Sequence, residues 1–147
     1  MNYETRLRWE GDTATYDGYS REYRVEIDGK PELTGSADPT FRGDASRHNP
    51  EDLLVIALSS CHMLSYLALC ARKRIRIVRY EDVANGRMSL RKDGGGQFDE
   101  VVLHPKVIVA AGDLALATEL HHKAHDLCFI ASSVNFPVRC DPTVTAQ

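Results

Sequence analysis

The chain has 147 residues, 43% of them hydrophobic and 27% charged, which is enough for one hydrophobic core and excludes a collagen-like, low-complexity or natively disordered chain. The net charge is −3, and no Lys/Arg cluster interleaves with aromatic residues, so nucleic acid is not expected as a partner. The first residues lack the basic-then-apolar order of a secretory signal. We therefore predict a cytoplasmic protein whose four cysteines remain thiols.

Alternation of apolar and charged residues predicts strands in the first third of the chain. Leu7 and Trp9 alternate with charged neighbours, and residues 23–27 repeat the pattern before Asp28-Gly29, which is typical of a hairpin turn. Residues 34–48 mix turn formers with charges and show no sustained period. They predict a loop that leads into a helix.

The central helix has a clear start. Asn49 can cap the free amides, Pro50 suits the first helical position, and Glu51 and Asp52 complement the positive helix end. We predict that this helix ends near Arg72. Its residues 53–71 contain no Lys, Arg, Asp or Glu, close to the length that spans a bilayer. Serines and a histidine at its centre instead favour a helix buried in protein, with no membrane association.

The remaining elements follow in order. Alternation resumes over residues 74–78, and Asn85-Gly86 and the glycine triplet 94–96 separate two or three further strands that end near Val109. The triplet lacks the Gly-Lys-Ser/Thr of a phosphate loop. Asp113 predicts the cap of a second helix through about Leu127, and residues 134–138 predict a closing strand. Together these elements predict a single α+β domain over residues 1–147: a β-meander, a long helix, a second β-meander, a helix and a strand.

Two of the four cysteines are candidates for chemistry. Cys61 and Cys70 lie nine positions apart on the predicted helix, so they face opposite sides and cannot bridge. Cys61 has polar neighbours, whereas Cys70 has apolar ones that indicate packing. Cys128 lies where a short helix is expected to begin, and free amides there favour a thiolate. Cys140 has no partner that the sequence identifies, and for any of the four a buried packing role is the alternative.

A possible metal site involves the second helix. His121, His125 and Cys128 fall at i, i+4 and i+7 on one helical face, and imidazole and thiolate ligands can hold zinc. The paired cysteines of stronger zinc motifs are missing, so hydrogen-bonded interface histidines are the alternative.

A reactive thiol needs a nearby cation, and the loop regions before the central helix offer Arg21, Arg42 and Arg47 as candidates. Each is otherwise a solvated surface charge. Glu51 lies ten residues from Cys61, ~15 Å along a helix. If Glu51 serves the Cys61 site, it comes from a second chain whose helix runs antiparallel, which requires a two-fold dimer.

Three segments carry a recognisable combination of residues. They are Asn49-Pro50-Glu51-Asp52-Leu53-Leu54, Ala57-Leu58-Ser59-Ser60-Cys61-His62 and Ala124-His125-Asp126-Leu127-Cys128. These segments resemble the signature blocks of the OsmC/Ohr family, the osmotically inducible and organic-hydroperoxide-resistance proteins. The resemblance covers nearly the whole chain. It implies an intertwined homodimer with sites at its interface.

The resemblance also implies a peroxidase that needs no cofactor. Cys61 attacks a hydroperoxide and becomes a sulfenic acid, Cys128 condenses with it to a disulfide, and a dithiol reductant such as a lipoyl protein restores both thiols. The family has an arginine that stabilises the thiolate, oriented by a glutamate that Glu51 matches. The family's Gly-Arg context is missing here, so Arg21 is the first candidate for this arginine and Arg42 the second.

Two departures from the family pattern separate this chain from the characterised peroxidases. Phe129 follows the second cysteine where relatives of the characterised peroxidases usually have Pro, and His62 follows the first where they often have Phe. These departures motivate an alternative hypothesis with the same fold but no catalysis. In it, an interface pocket lined by Cys61, His62 and Phe129 binds a small apolar ligand.

Overall fold

The structure is a computed structural model that describes every residue from Met1 to Gln147. It contains nine strands and two helices. In chain order these are β1 Arg6–Arg8, β2 Tyr23–Glu26, β3 Leu33–Gly35, α1 Pro50–Arg72, β4 Arg76–Asp82, β5 Asn85–Leu90, β6 Gly96–Leu103, β7 Pro105–Ala111, α2 Leu114–Leu127, β8 Val138–Cys140 and β9 Thr143–Ala146. The chain divides into two compact units, Met1–Leu54 and Val55–Gln147. The mixed α+β class predicted from the sequence is confirmed.

The first unit contains an antiparallel meander, as predicted. β2 pairs with β1 on one side and with β3 on the other, with Val25 opposite both Leu7 and Leu33. Gly29 turns the chain between β2 and β3 at φ 76°, a conformation that costs glycine little. β3 lies partly within residues 34–48, which were predicted as a loop. Pairing with β2 makes it a strand, because its own three residues are too few to show a periodic pattern.

Helix α1 begins and ends where the sequence predicts. The Asn49 side-chain oxygen accepts the Asp52 backbone N–H at 2.8 Å, and the Asp52 carboxylate accepts the Asn49 N–H at 3.3 Å. This reciprocal pair satisfies amides that have no partner within the helix. One stripe of the helix, with residues four apart, is buried: Leu58, His62, Tyr66 and Cys70.

The rest of α1 is less buried than predicted. The helix is long and apolar enough to cross a membrane by length and composition, and 22% of its most apolar window is buried within this chain. Ile56 and Leu64 are 51% and 63% exposed. Within a single chain, the predicted burial of this helix is therefore limited to the stripe of Leu58, His62, Tyr66 and Cys70.

The second unit has two three-stranded sheets. One has the order β4-β7-β9 and the other β5-β6-β8, so the pairing is not that of a simple meander in which each strand joins the next. One cluster of buried residues packs α1 and α2 against the strands of the first sheet: Tyr66, Cys70, Ile75, Val107, Val109, Ala117, Leu120 and Ala124.

The C-terminal strands differ from the sequence prediction. Residues 134–137 lie outside any strand, and the predicted closing strand begins only at Val138. A second strand, β9, was not predicted. Both are three or four residues long and pair in parallel with distant strands, Val138 opposite Val101 and Val144 opposite Val107. Such short strands exist because of long-range pairing, which no local pattern reveals.

Candidate functional site

The structure brings together the two cysteines that the sequence singled out. Cys61 lies half-buried in the middle of α1, and Cys128 follows the last residue of α2 with 1% of its surface exposed. The two thiols lie close enough for the Cys61 side chain to contribute to the pKa of the Cys128 thiol. No disulfide joins the pair, and all four cysteines are free.

The surroundings of Cys128 do not favour a thiolate, contrary to the sequence prediction. Its sulfur accepts the backbone N–H of Ala131 at 3.4 Å, which favours the anion. Burial outweighs this contact, with a further contribution from Cys61, and raises the pKa of the Cys128 thiol to about 11. Cys128 is therefore a protonated thiol at neutral pH.

The two candidate arginines lie in the first unit, beside the same aromatic ring. Arg21 donates to the carbonyl oxygens of Tyr16 and Tyr19, and its guanidinium lies 4.9 Å from the Tyr16 ring centroid and 3.7 Å from that of Tyr19. Arg42 forms an ion pair with Asp17 at 2.9 Å, and its guanidinium lies 5.5 Å from the Tyr16 centroid. Arg21 has no carboxylate partner, so its charge is not neutralised by an ion pair.

The other two charged candidates are also in the first unit. Arg47 is paired with Glu22 at 3.0 Å and with Asp44 at 3.6 Å, which indicates a structural role. Glu51 lies in the first turn of α1, close enough to Tyr23 that its charge adds to burial in raising the pKa of that phenol.

His62 and Phe129, which the sequence proposed as ligand-binding residues, lie in opposite environments. Phe129 is 68% exposed. His62 is 1% exposed and faces the interior of its unit, where its contacts are polar.

A buried cluster of two histidines and one cysteine lies around His62. Its Nε2 is 3.0 Å from His121 Nδ1, and the Cys140 sulfur is 3.5 Å from the first nitrogen and 3.9 Å from the second. Three ligand atoms of this kind could hold a metal ion. The Tyr66 ring stacks on His121 with centroids 3.8 Å apart, which fixes the orientation of that imidazole.

Burial determines the protonation of this cluster. It lowers the pKa of His62 to about 4, with a contribution from His125, and the pKa of His121 to about 3, with a contribution from His62. Both rings are therefore neutral at pH 7. Burial also raises the pKa of Cys140 to about 12, and the charges of Asp82 and Asp141 act in the same direction.

The cluster differs from the possible zinc ligands that the sequence spacing suggested as an alternative. α2 ends at Leu127, and Cys128 has extended backbone angles of φ −73° and ψ 110°, so it leaves the helical face of His121 and His125. His121 instead meets His62 and Cys140. The sequence offered no sign of this grouping, because strand pairing brings Cys140 to the cluster. β8 pairs with β6, and Cys140 lies opposite Leu103, which is 37 residues earlier in the chain.

A cavity of about 470 Å³ adjoins the cluster. Its walls come from α2 and from the segment that begins with β8. The polar side chains among its lining residues are Thr118, His121, His122, His125, Arg139, Cys140 and Asp141. The cavity therefore reaches two members of the cluster, His121 and Cys140.

Comparison with known proteins identifies the fold and the family. The family model described as OsmC-like protein matches residues 43–143. An OsmC-like protein of unknown function from Vibrio cholerae is 31% identical, with a TM-score of 0.87 over 97% of this chain and 99% of that one. No curated protein matches this sequence.

Two further solved structures share the fold at lower identity. An organic hydroperoxide resistance protein from Elizabethkingia anophelis is 21% identical, with a TM-score of 0.70 over 100% of this chain and 99% of that one. An OsmC-like protein from Mycoplasma pneumoniae is 16% identical, with a TM-score of 0.77 over 99% of this chain and 98% of that one. The family model covers more than half of the sequence, and the chain belongs to the OsmC-like family, part of the OsmC/Ohr group.

Proposed function

We propose that this protein is a thiol-dependent hydroperoxide reductase in which Cys61 attacks the peroxide and Cys128 resolves the product. The observation that carries the proposal is the proximity of the two thiols, one in the middle of α1 and one just after α2, although 67 residues separate them in the chain. Family membership supports the same chemistry, since related structures include organic hydroperoxide resistance proteins.

The reaction balances as a two-electron cycle. The Cys61 thiolate attacks the terminal peroxide oxygen, the O–O bond breaks, and the alkoxide leaves and takes up a proton as an alcohol. The Cys61 sulfenic acid then condenses with the Cys128 thiol, which forms the disulfide and releases water. A dithiol reductant, such as a lipoyl protein, reduces the disulfide by thiol exchange and becomes oxidised itself.

The environments of the two thiols support this division of roles. A peroxide has to reach the attacking sulfur, and Cys61 is the more exposed of the pair. Cys128 is 1% exposed and lies near Cys61, so it is placed to meet the sulfenic acid formed there rather than a peroxide arriving from solvent. We also propose a cytoplasmic location, because the cytoplasm keeps thiols reduced and the proposed cycle requires the disulfide to be reduced again.

We assign the activating cation to Arg21 and its orientation to Glu51. Arg21 carries a guanidinium without a carboxylate partner, whereas Arg42 is already paired with Asp17 at 2.9 Å. A cation beside Cys61 would favour the thiolate that attack requires. Glu51 and Cys61 are ten residues apart on one helix, so we propose that each site takes its glutamate from a second chain.

The exposed face of α1 supports a homodimer. Ile56 and Leu64 lie eight residues apart on one side of the helix, opposite the buried stripe, and both are more than half exposed. Ala68 continues the same face. An apolar surface of this kind usually marks an interface, and an antiparallel pair of α1 helices would cover it.

The central test measures peroxide consumption with a dithiol reductant present. We expect Cys61→Ser to lose the activity and Cys128→Ser to turn over at most once, and mass spectrometry of the wild type after one equivalent of organic hydroperoxide to find a Cys61–Cys128 disulfide. Hydrogen peroxide serves as the comparison substrate and should react more slowly. Unchanged consumption by Cys61→Ser contradicts the proposal.

Two outcomes separate the proposal from its alternative. If both thiols remain free after prolonged exposure to either peroxide, the ligand-binding hypothesis is favoured, and small apolar compounds should then raise the melting temperature. The matched pair Arg21→Gln and Arg42→Gln tests the cation. Removal of Arg21 should slow disulfide formation at least tenfold, whereas Arg42→Gln should leave it within about twofold.

A further inference from the structure

The cluster of His62, His121 and Cys140 brings together three potential metal-ligand atoms that have no role in the proposed peroxidase reaction. Its members come from α1, α2 and β8, so three separate elements bring one ligand atom each to a single point. Two of the three residues are almost fully buried. Burying two imidazoles and a thiol at one point is costly unless their polar atoms have partners.

Hydrogen bonds within the protein do not satisfy all the buried ring nitrogens of the cluster. Because His62 Nε2 and His121 Nδ1 face each other at 3.0 Å, only one of them can carry the shared proton. The outer nitrogens, His62 Nδ1 and His121 Nε2, have no partner. Whichever ring donates, one outer nitrogen is therefore a buried N–H donor without an acceptor.

The spacing of the ligand atoms matches that of a tetrahedral zinc site. With Zn–N of about 2.05 Å and Zn–S of about 2.3 Å, tetrahedral ligands lie about 3.3 Å apart for two nitrogens and about 3.6 Å apart for nitrogen and sulfur. The cluster has 3.0 Å between its nitrogens, and 3.5 and 3.9 Å from sulfur to nitrogen. Shifts of a few tenths of an ångström would bring all three ligands to bonding distance.

Charge and access also suit a cation. Asp82 and Asp141 lie close enough to act electrostatically on Cys140, so the cluster has two carboxylates beside it. Arg139 also lines the neighbouring cavity, but its guanidinium is ion-paired with Glu100 at 3.3 Å. The neighbouring cavity of about 470 Å³ is lined by His121 and Cys140, which gives an ion a route from solvent.

We propose that His62 Nε2, His121 Nδ1 and Cys140 Sγ form a binding site for a divalent cation of the zinc class, with a fourth position open to this cavity. The cation replaces the Cys140 thiol proton, which is released to solvent. Both outer ring nitrogens then carry a proton without a protein acceptor. Loss of such outer contacts typically weakens metal binding about 10- to 100-fold, so we expect weaker binding than in a zinc site with complete outer contacts.

Cobalt(II) is the probe for the test. The full-length protein, purified without a histidine tag, is reduced, depleted of metal and titrated with Co²⁺. We expect one ion per chain, the visible bands of tetrahedral cobalt, and a thiolate-to-cobalt charge-transfer band that Zn²⁺ abolishes by displacement. Absence of the charge-transfer band would overturn the proposal and leave a hydrogen-bonded histidine pair.

Variants assign the thiolate. Cys140→Ser should lose the charge-transfer band and bind at least tenfold more weakly, whereas the double variant Cys61→Ser/Cys128→Ser should keep both. A folded Cys140→Ser protein with an unchanged band refutes the site. If that variant does not fold, alkylation of the wild-type protein decides the question. Zn²⁺ should slow the modification of Cys140 and leave the modification of Cys61 unchanged. Equal rates of Cys140 modification with and without Zn²⁺ would also refute the site.

Discussion

Replacing Leu64 by alanine should weaken the proposed dimer without unfolding the chain. Leu64 is 63% exposed on the apolar face of α1, so most of its side chain is available for burial against a partner. Full burial of a leucine side chain stabilises by about 1.5–3 kcal/mol, and 63% of that is about 1–2 kcal/mol per chain. A two-fold interface contains the residue twice, which gives about 2–4 kcal/mol per dimer.

The expected change in dissociation constant is large enough to measure. At 1.4 kcal/mol per tenfold change, a loss of 2–4 kcal/mol raises the dissociation constant roughly 30- to 700-fold. Sedimentation velocity over a dilution series gives this constant directly. Leu90→Ala is the matched control, because Leu90 is 66% exposed but lies on β5 and not on the exposed face of α1.

Three results would refute this reasoning. A monomeric wild type at every concentration would remove the dimer. An unchanged dissociation constant for Leu64→Ala would remove α1 from its interface. Equal weakening by Leu90→Ala would show that the effect is not specific to the α1 face, and circular dichroism of each variant guards against loss of fold.

Further predictions concern stability and thiol accessibility. Leu103→Ala should lower the free energy of unfolding by about 2–5 kcal/mol, because Leu103 is fully buried and the smaller side chain leaves a cavity; urea denaturation measures it, and a loss below about 1 kcal/mol would contradict the packing. Asn49→Ala should cost about 1 kcal/mol through loss of the α1 cap, and the same assay would show no change if the Asp52 amide found another partner. Alkylation of the reduced native protein should modify Cys61 well before Cys128, because the second thiol is buried and protonated; peptide mass spectrometry gives both rates, and the reverse order would contradict the assigned roles.

The start of α1 was predictable because its determinants are adjacent in the chain. Asn49, Pro50 and the two acids after them act within one helical turn, and the structure shows the Asn49–Asp52 cap that this sequence implies. Asp113 caps α2 in the same way by accepting the Leu116 N–H at 3.1 Å. Local chemistry of this kind does not depend on the rest of the fold.

The behaviour of Cys128 could not be predicted in this way. Its sequence position predicted free amides and a thiolate, and one such amide does donate to the sulfur, from Ala131. The decisive quantity was burial, which depends on what the rest of the second unit packs over the end of α2. Desolvation acts on the charged form more strongly than one N–H contact does, so the thiol stays protonated.

The sequence by itself therefore determined the positions and caps of both helices, most of the strands between them and the family resemblance that pairs Cys61 with Cys128. Only the tertiary structure decided which other side chains meet. Strand β8 reaches its place by pairing in parallel with β6, and this places Cys140 beside His62 and His121. Helix periodicity predicts neighbours along one helix, but long-range strand pairing and burial set which elements come together and which groups keep their charge.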